Sequence, residues 1–392
     1  MDADALFEIA RTWSYWDRPM PRSVARRIRL PDALTDSLAL VVQGVRRCGK
    51  STLLRQLVGR YGLDPARCIF VNFEDPRLAQ HLDWPVLDDL VAAARSKLVA
   101  ATHDRVTFFL DEIQNVRGWE RWLRSQLDRP SGNQFVVTGS NAALLSGELG
   151  AVLTGRHRTV ELYPFELEEF CDARPGGETR SFLRDGGFPE PLTLSDGDEL
   201  RRQYFDDIIN RDIRERLGAR SSQPIRQVAQ MAYEAAGSEL SLRRIAAAAG
   251  LAIDTAGSYL TACEDAYLLF GVPFFAFSER KRAAYNRKYY PIDTGLRRVV
   301  VTPGPQDTGK TLECAVAVVL RRRHRDVYYW RGDGEVDFVV QDGGRVVPIQ
   351  VTLEGPQPRH DRALRSFYEQ FPQADEAVFV TLDGFAAWAR SN

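Results

Sequence analysis

Between Gly44 and Thr52 the chain reads GVRRCGKST, a match to the spacing G-x-x-x-x-G-K-[ST] with Gly44, Gly49, Lys50 and Ser51 at the fixed positions. The chemistry of that spacing is the holding of phosphate. Glycines let the backbone curl until successive N–H groups face an anion, and a helix starting where the loop ends adds the positive end of its dipole. A lysine at that point supplies charge to the β- and γ-phosphates, and the next hydroxyl is a ligand for Mg²⁺. The implied cofactors are ATP and Mg²⁺, with Gly44, Cys48, Gly49, Lys50, Ser51 and Thr52 as nucleotide-binding residues.

About sixty residues on, VTFFLDEIQ ends an apolar run with Asp111 and Glu112. An aspartate at a strand tip can hold Mg²⁺ through water, and the next carboxylate can orient or deprotonate an attacking water. Ser51 and Asp111 are therefore the expected metal residues, and Lys50 and Glu112 the first catalytic candidates. FVVTGSN places Asn141 just past another apolar run, where its amide can touch the γ-phosphate or the lytic water. Asn also caps helices, and AALLSGEL follows it, so both roles stay open. In LTGRHRTVEL, Arg156 and Arg158 precede a further run. An arginine there can reach the phosphates of a neighbouring subunit; the competing reading is a solvated basic turn.

These residues need a scaffold that gathers the ends of the apolar runs. LALVVQ at 38, IFVNF at 69, VTFFL at 106, FVVTG at 135 and TVEL at 159 are rich in β-branched and apolar residues and alternate with helical patterns. That pattern predicts a parallel α/β sheet covered on both faces. From 165 to 235 the chain turns helical and charged, with a break at GGFPEP. LSLRRIAAAAG, a turn at Gly250 and a helix opened by Asp254 read as helix-turn-helix. The last stretch reads helix, strand, strand, helix, strand. The expected domains are an N-terminal helical segment (1–35), a P-loop core (36–164), a helical region (165–235), the helix-turn-helix region (236–300) and a small α/β module (305–392).

Composition narrows the partners. Lys and Arg number 52 against 53 Asp and Glu, so no global field marks a nucleic-acid or membrane binder, and any basic surface is local. Five scattered cysteines without a CxxC pair, and histidines without ligand spacing, argue against structural zinc and a disulfide framework. The start MDADALFEIARTW has no basic segment followed by an apolar one, and no stretch has the length of a spanning helix. The expectation is a soluble, cytoplasmic protein with no membrane partner.

Taken together, GVRRCGKSTLL, FFLDEIQNVRGWERWLRSQLD, VVTGSNAALLS, LTGRHRTVELYPFELEEF and GGFPEPL resemble the prokaryotic AAA+ ATPases that carry a winged-helix segment and a C-terminal restriction-endonuclease-like domain. The similarity runs from about residue 20 to the end of the chain. It implies that Lys50 and Ser51 lie on Walker A, Asp111 and Glu112 on Walker B, Asn141 at sensor 1 and Arg156 at the arginine-finger position. It also implies a strand order of 5-1-4-3-2, a helical lid over 165–235, a winged helix over 236–300, a nuclease-like domain over 305–392 and assembly into a ring or open ring. Arg184 and Arg211 are both candidates for sensor 2.

A winged helix suggests DNA, read by the second helix in the major groove. Residues 251–279 contain no Lys or Arg, on which phosphate anchoring depends. DNA contact then falls to Arg243 and Arg244 and to Arg280, Lys281, Arg282, Arg287 and Lys288 of the wing; the alternative is a protein-packing module. Nucleases of the type resembled need a strand carboxylate followed by Glu-x-Lys on the next strand. Asp337 and Glu313 fit the acids, but Gln350 and Thr352 stand where Glu and Lys belong, so cleavage is expected to be lost. The whole reads as a Mg²⁺-dependent ATPase acting on nucleic acid, with DNA the expected partner, as a homo-oligomer. Its alternative is a nucleotide-gated protein-interaction switch, a defence or toxin-antitoxin-like component without direct DNA binding.

Overall fold

The five apolar runs become strands: β1 (Ala39–Gln43), β2 (Cys68–Asn72), β3 (Val106–Asp111), β4 (Asn133–Gly139) and β5 (His157–Glu161). In this computed structural model, which describes residues 2–98, 105–129, 131–141, 152–153, 155–302, 304 and 307–391, they form one sheet. The order is β2-β3-β4-β1-β5 with every neighbouring pair parallel, which is 5-1-4-3-2 read from the other edge. β1, β3 and β4 are buried along their whole length, which explains why their sequences lack polar alternation. β5, at the edge, is buried only at Val160.

The helices of this unit are α1 (Ala3–Trp13), α2 (Lys50–Arg60), α3 (Pro85–Leu98) and α4 (Trp119–Leu127). Asp2 starts α1 by accepting the Ala5 N–H at 2.7 Å, and Leu6, Ile9 and Ala10 form its buried face. That face packs on α3 and β2. Between sheet and helices, Phe108 stacks on Phe135 at 5.4 Å, and Trp122 meets Phe135 edge-on at 5.5 Å. Parallel strands bring their carboxyl ends to one edge, and that edge is where Gln43, Asp111 and Gly139 end their strands. The helix expected after Asn141 falls at 142–149, outside the described residues.

The chain divides at residue 162, and the second unit stands by itself. It begins with α5 (Leu167–Ala173), α6 (Thr179–Asp185), α7 (Gly197–Asp207), a π-helical segment (Ile208–Glu215) and α8 (Gln223–Glu234). Then come α9 (Leu242–Ala249) and α10 (Ile253–Asp265), joined at Gly250, and an antiparallel pair β6 (Leu269–Val272) and β7 (Lys288–Pro291) with a short helix α11 (Glu279–Ala283) between them. After α12 (Thr294–Val300) and α13 (Asp307–Arg323), strands β8 (Val327–Arg331), β9 (Glu335–Asp342), β10 (Arg345–Thr352) and β11 (Val378–Thr381) form a sheet ordered β11-β10-β9-β8. Only β10 and β11 run parallel. Helices α14 (Pro358–Gln370) and α15 (Phe385–Arg390) complete it.

The GGFPEP break has a physical cause in this unit. Asp293, buried at the start of α12, accepts the N–H of Gly187 at 2.6 Å and of Leu296 at 2.7 Å. One side chain thus caps a helix and anchors a turn about a hundred residues away.

Candidate nucleotide-binding site

The chain leaves β1 at Gln43 and reaches α2 at Lys50, so the G-x-x-x-x-G-K-S segment is the strand-to-helix loop its sequence calls for. Gly44 admits no side chain, because a Cβ there would lie 2.0 Å from the Leu162 carbonyl oxygen. Gly49 closes the loop with φ at 100°, a left-handed conformation that costs other residues roughly 1–2 kcal/mol. A brace that sequence reading missed supports the loop from behind. Buried Arg26 donates from Nη1 to the Cys48 carbonyl at 2.8 Å, and its backbone N–H donates to Gln56 Oε1 at 3.0 Å. No motif marks that arginine; only its burial does. The Cys48 side chain turns inward, its Sγ 3.3 Å from the Leu162 oxygen, and burial pushes its thiol above the ordinary range. Cys48 therefore serves the loop through its backbone, its N–H donating to the Val45 carbonyl at 3.3 Å and its own carbonyl accepting from Arg26. Thr52 lies in the first turn of α2 and accepts from Arg55 Nη2 at 2.9 Å.

Ser51, on α2, donates from Oγ to Asp111 Oδ2 at 2.6 Å, which joins the two motifs across the sheet edge. The other carboxylate oxygen accepts from Thr138 Oγ1 at 2.5 Å, and the same hydroxyl accepts the Glu112 N–H at 3.0 Å. Thr138, near the end of β4, is a second residue the sequence reading missed; it lies within the FVVTGSN run that was read for Asn141. Lys50 is buried, with Nζ 3.1 Å from the Gly44 oxygen, 3.2 Å from the Val45 oxygen and 3.7 Å from Glu112 Oε1. Glu112 has a left-handed backbone (φ 54°), the kind of strain that costs of order 1–3 kcal/mol and gathers at functional positions. Gln114 Nε2 donates to its Oε2 at 2.5 Å.

The electrostatics differ between the two neighbouring acids. Burial raises the Asp111 carboxyl above the ordinary range and the Glu112 charge raises it further, while Ser51, Thr138 and Lys50 offset this only in part. Burial pushes Glu112 up as well, but the Lys50 charge, the Gln114 amide, the Arg46 charge and the Ser140 hydroxyl outweigh it, and this carboxyl lies below its usual range. Asp111 is a desolvated acid that a cation would relieve, and Glu112 is held ionised. A serine hydroxyl 2.6 Å from that acid fits the donor set of a Mg²⁺ ion bound to a nucleotide, since hard oxygen ligands are what the ion takes. The two curled glycines and the buried lysine fit its phosphates.

Asn141 lies half-buried two residues beyond β4. Arg156 leads into β5, and its Nη2 pairs with Asp128 Oδ1 at 2.9 Å. The sensor 2 candidates belong to the second unit: Arg184 is held by Asp185 at 2.8 Å, and Arg211 is exposed on the π-helical segment.

The second unit contains a further charge cluster. Lys288, expected on an exposed wing, is fully buried instead, with Nζ 2.5 Å from Glu335 Oε1 and 3.9 Å from Glu313 Oε1. The reason is that β7 turns it under the C-terminal sheet, where three acids otherwise lack a counter-charge. Arg282 is likewise engaged, by Glu279 at 2.6 Å and by the Tyr328 hydroxyl. Tyr290 donates to Glu313 at 2.7 Å. Asp337 Oδ2 accepts the Val351 N–H at 2.7 Å, and burial, with Glu313 beside it, pushes its carboxyl up to about 8. Gln350 is buried and donates to the Glu335 carbonyl at 2.9 Å, and Thr352 ends β10. Glu354 and Arg359 lie beyond the strand and are exposed. Among the described residues, no three Asp, Glu, His or Cys side chains are gathered to hold a metal ion.

Residues 36–171 match a family described as an AAA domain, in register with the loop, the strand-tip acids and the sheet. The first unit has the fold of an AAA-type P-loop ATPase. Residues 178–307 and 308–388 match two domains of unknown function, DUF8612 and DUF4143. The chain is 28% identical over 341 residues to an uncharacterized protein of Haemophilus influenzae, covering 82% of this chain and 84% of the relative. It is 29% identical over 356 residues to an uncharacterized protein of Methanocaldococcus jannaschii, covering 83% and 77%. Among solved structures it is similar to the Walker-type ATPase of Pyrococcus abyssi, with TM-score 0.44 and 15% identity, over 67% of this chain and 90% of that one. It is also similar to the Orc1 protein of Aeropyrum pernix in complex with DNA, with TM-score 0.28 and 13% identity, over 76% and 91%. Among the described residues no helix is long and apolar enough to cross a membrane.

The buried acid of the second unit makes stability depend on pH. Asp337 is raised from 3.8 to about 8 in the folded chain, so its stabilising contribution is full below 3.8 and is lost as pH climbs through 8. The urea midpoint should therefore fall between about pH 6 and about pH 9 more for the wild type than for Asp337→Asn, whose amide has no proton to lose. Equal falls in the two proteins would remove Asp337 from the account.

Proposed function

We propose that the chain binds ATP with Mg²⁺ and hydrolyses it at the loop and strand-tip site of the first unit. The observation that carries this reading is the convergence of Ser51 and Asp111, 2.6 Å apart, beside Lys50 and Glu112, 3.7 Å apart. Lys50 and the N–H groups of Gly44 to Thr52 bind the phosphates, Ser51 and Asp111 hold the metal, and Glu112 orients the attacking water and takes up its proton. Mg²⁺, when bound, screens charge on the phosphates. Asn141 contacts the γ-phosphate or that water. Arg156 serves a neighbouring subunit of a ring or open ring, leaving its Asp128 partner as it does so; a head-to-tail contact of this kind generates such assemblies.

Binding and chemistry divide between two residues. Lys50→Ala should abolish ATP binding in a titration with a fluorescent nucleotide. Glu112→Gln should retain it while turnover falls on the order of a hundredfold or more. The same loss of affinity in both would sink the assignment of roles.

The favoured partner is DNA, through a winged helix formed by α9, α10, β6 and β7. Exposed Arg243 and Arg244, with exposed Arg280, Lys281 and Arg287, supply the phosphate contacts, without Lys288. The second reading, a nucleotide-gated protein-interaction switch, gains from the same observation, since α10 carries no base-reading cation and the wing loses a lysine to the interior. In a nonhydrolysable ATP analogue, labelled duplex should bind more weakly as salt rises, and doubly substituting Arg243→Ala and Arg244→Ala should weaken binding and reduce the slope of log K against log[salt] by about two. No binding at low salt would favour the switch.

The C-terminal sheet is a nuclease-like fold that has lost cleavage. A carboxyl that keeps its proton near neutrality is a poor metal ligand, and Glu335 is already paired with Lys288. Supercoiled DNA should stay intact in Mg²⁺ or Mn²⁺, whereas nicking that disappears in Asp337→Ala would overturn the inference.

A further inference from the structure

The crest of the phosphate loop carries two adjacent arginines that the loop spacing does not require, and they are placed differently. Arg47 has a left-handed backbone (φ 68°) and is exposed. Arg46 folds inward: its side chain is 13% exposed, and its Nη1 lies 3.1 Å from Glu74 Oε1. Glu74 follows the tip of β2, where its N–H donates to Asn72 Oδ1 at 2.8 Å, and Asn72 is the register partner of Asp111. The Arg46 charge also reaches Glu112, where it helps keep that carboxyl ionised. One cation thus ties the loop crest to an acid just past the tip of β2, the strand beside β3.

Its side of the loop identifies what it can recognise. The N–H groups at Gly49 to Ser51, at the start of α2, address the middle of a polyphosphate, as a helix N-terminus after a glycine loop does. Asp111 and Glu112 mark the places of the cation and the water, so a terminal phosphate has to lie between them and the loop. Arg46 is held on that side by Glu74, just past the end of β2, the strand beside the one that carries Asp111, and a nucleoside diphosphate puts no group there. Glu74 is an exchangeable partner, because it is 41% exposed and can return to water. A guanidinium fork matches phosphate oxygens as well as it matches a carboxylate.

We propose that Arg46 reads the terminal phosphate of a nucleoside triphosphate, exchanging Glu74 for it, so that each subunit distinguishes triphosphate from diphosphate with its own loop. This rests on the nucleotide-binding reading above. Calorimetric titration of the full chain with ADP and with a nonhydrolysable ATP analogue, both with Mg²⁺, tests it. Arg46→Ala should weaken the triphosphate analogue by about tenfold, the order of one charge-assisted hydrogen bond, and leave ADP affinity unchanged. That unchanged ADP affinity also reports an intact fold. Arg46→Lys, which keeps the charge but not the fork, should recover part of the loss, and Glu74→Gln should tighten the analogue by removing a carboxylate that competes for Arg46. Equal weakening of both ligands, or of neither, in Arg46→Ala would overturn the role of Arg46 while leaving nucleotide binding in place. A wild-type chain that binds neither ligand would instead remove the nucleotide reading itself.

Discussion

Two adjacent carboxylates held out of water at the tip of β3 set the terms for the first unit. Taking an ionised acid into a protein interior costs several kcal/mol unless partners replace the lost water. Asp111 receives two hydroxyls, from Ser51 and Thr138, and Glu112 receives a lysine, an amide and a strained backbone. The partners arrive from α2, from β4 and from the turn after β3, so the sheet order, the loop and the start of α2 are all needed to satisfy one pair of acids. The parallel sheet supplies that arrangement because its carboxyl ends share an edge.

Charge compensation of a different outcome governs the second unit. Glu313, Glu335 and Asp337 face one buried ammonium, Lys288, delivered from β7. One lysine cannot balance three acids, and burial, with the repulsion from Glu313 added, appears as the proton Asp337 retains. In the first unit a strand-tip acid is left wanting a cation; in the second the cation is part of the chain. That contrast separates a site suited to binding an ion from one suited to holding strands together.

The loop itself depends on residues remote in sequence. Arg26 reaches the Cys48 carbonyl from an irregular segment ahead of β1, and the Leu162 carbonyl closes on Gly44 from just past β5. Both fix the backbone whose N–H groups would otherwise splay, which is why segments outside the motif bear on its geometry.

The sequence by itself determined the phosphate loop, the strand-tip acids and the five strands, because these depend on local spacing and on apolar runs that only a doubly covered sheet explains. Glycine positions and a lysine at a helix start have little other use, so Gly44, Gly49, Lys50, Ser51, Asp111 and Glu112 were legible one by one. Thr138 and Arg26 were not, since a hydroxyl in a strand and an arginine in an irregular segment acquire meaning only from what they face. Lys288 shows the limit most clearly. In sequence it belongs to a basic run, RKRAAYNRK, and reads as surface charge. Only the tertiary structure decides that β7 turns it inward, because the acids that draw it there lie 25 and 47 residues further along the chain.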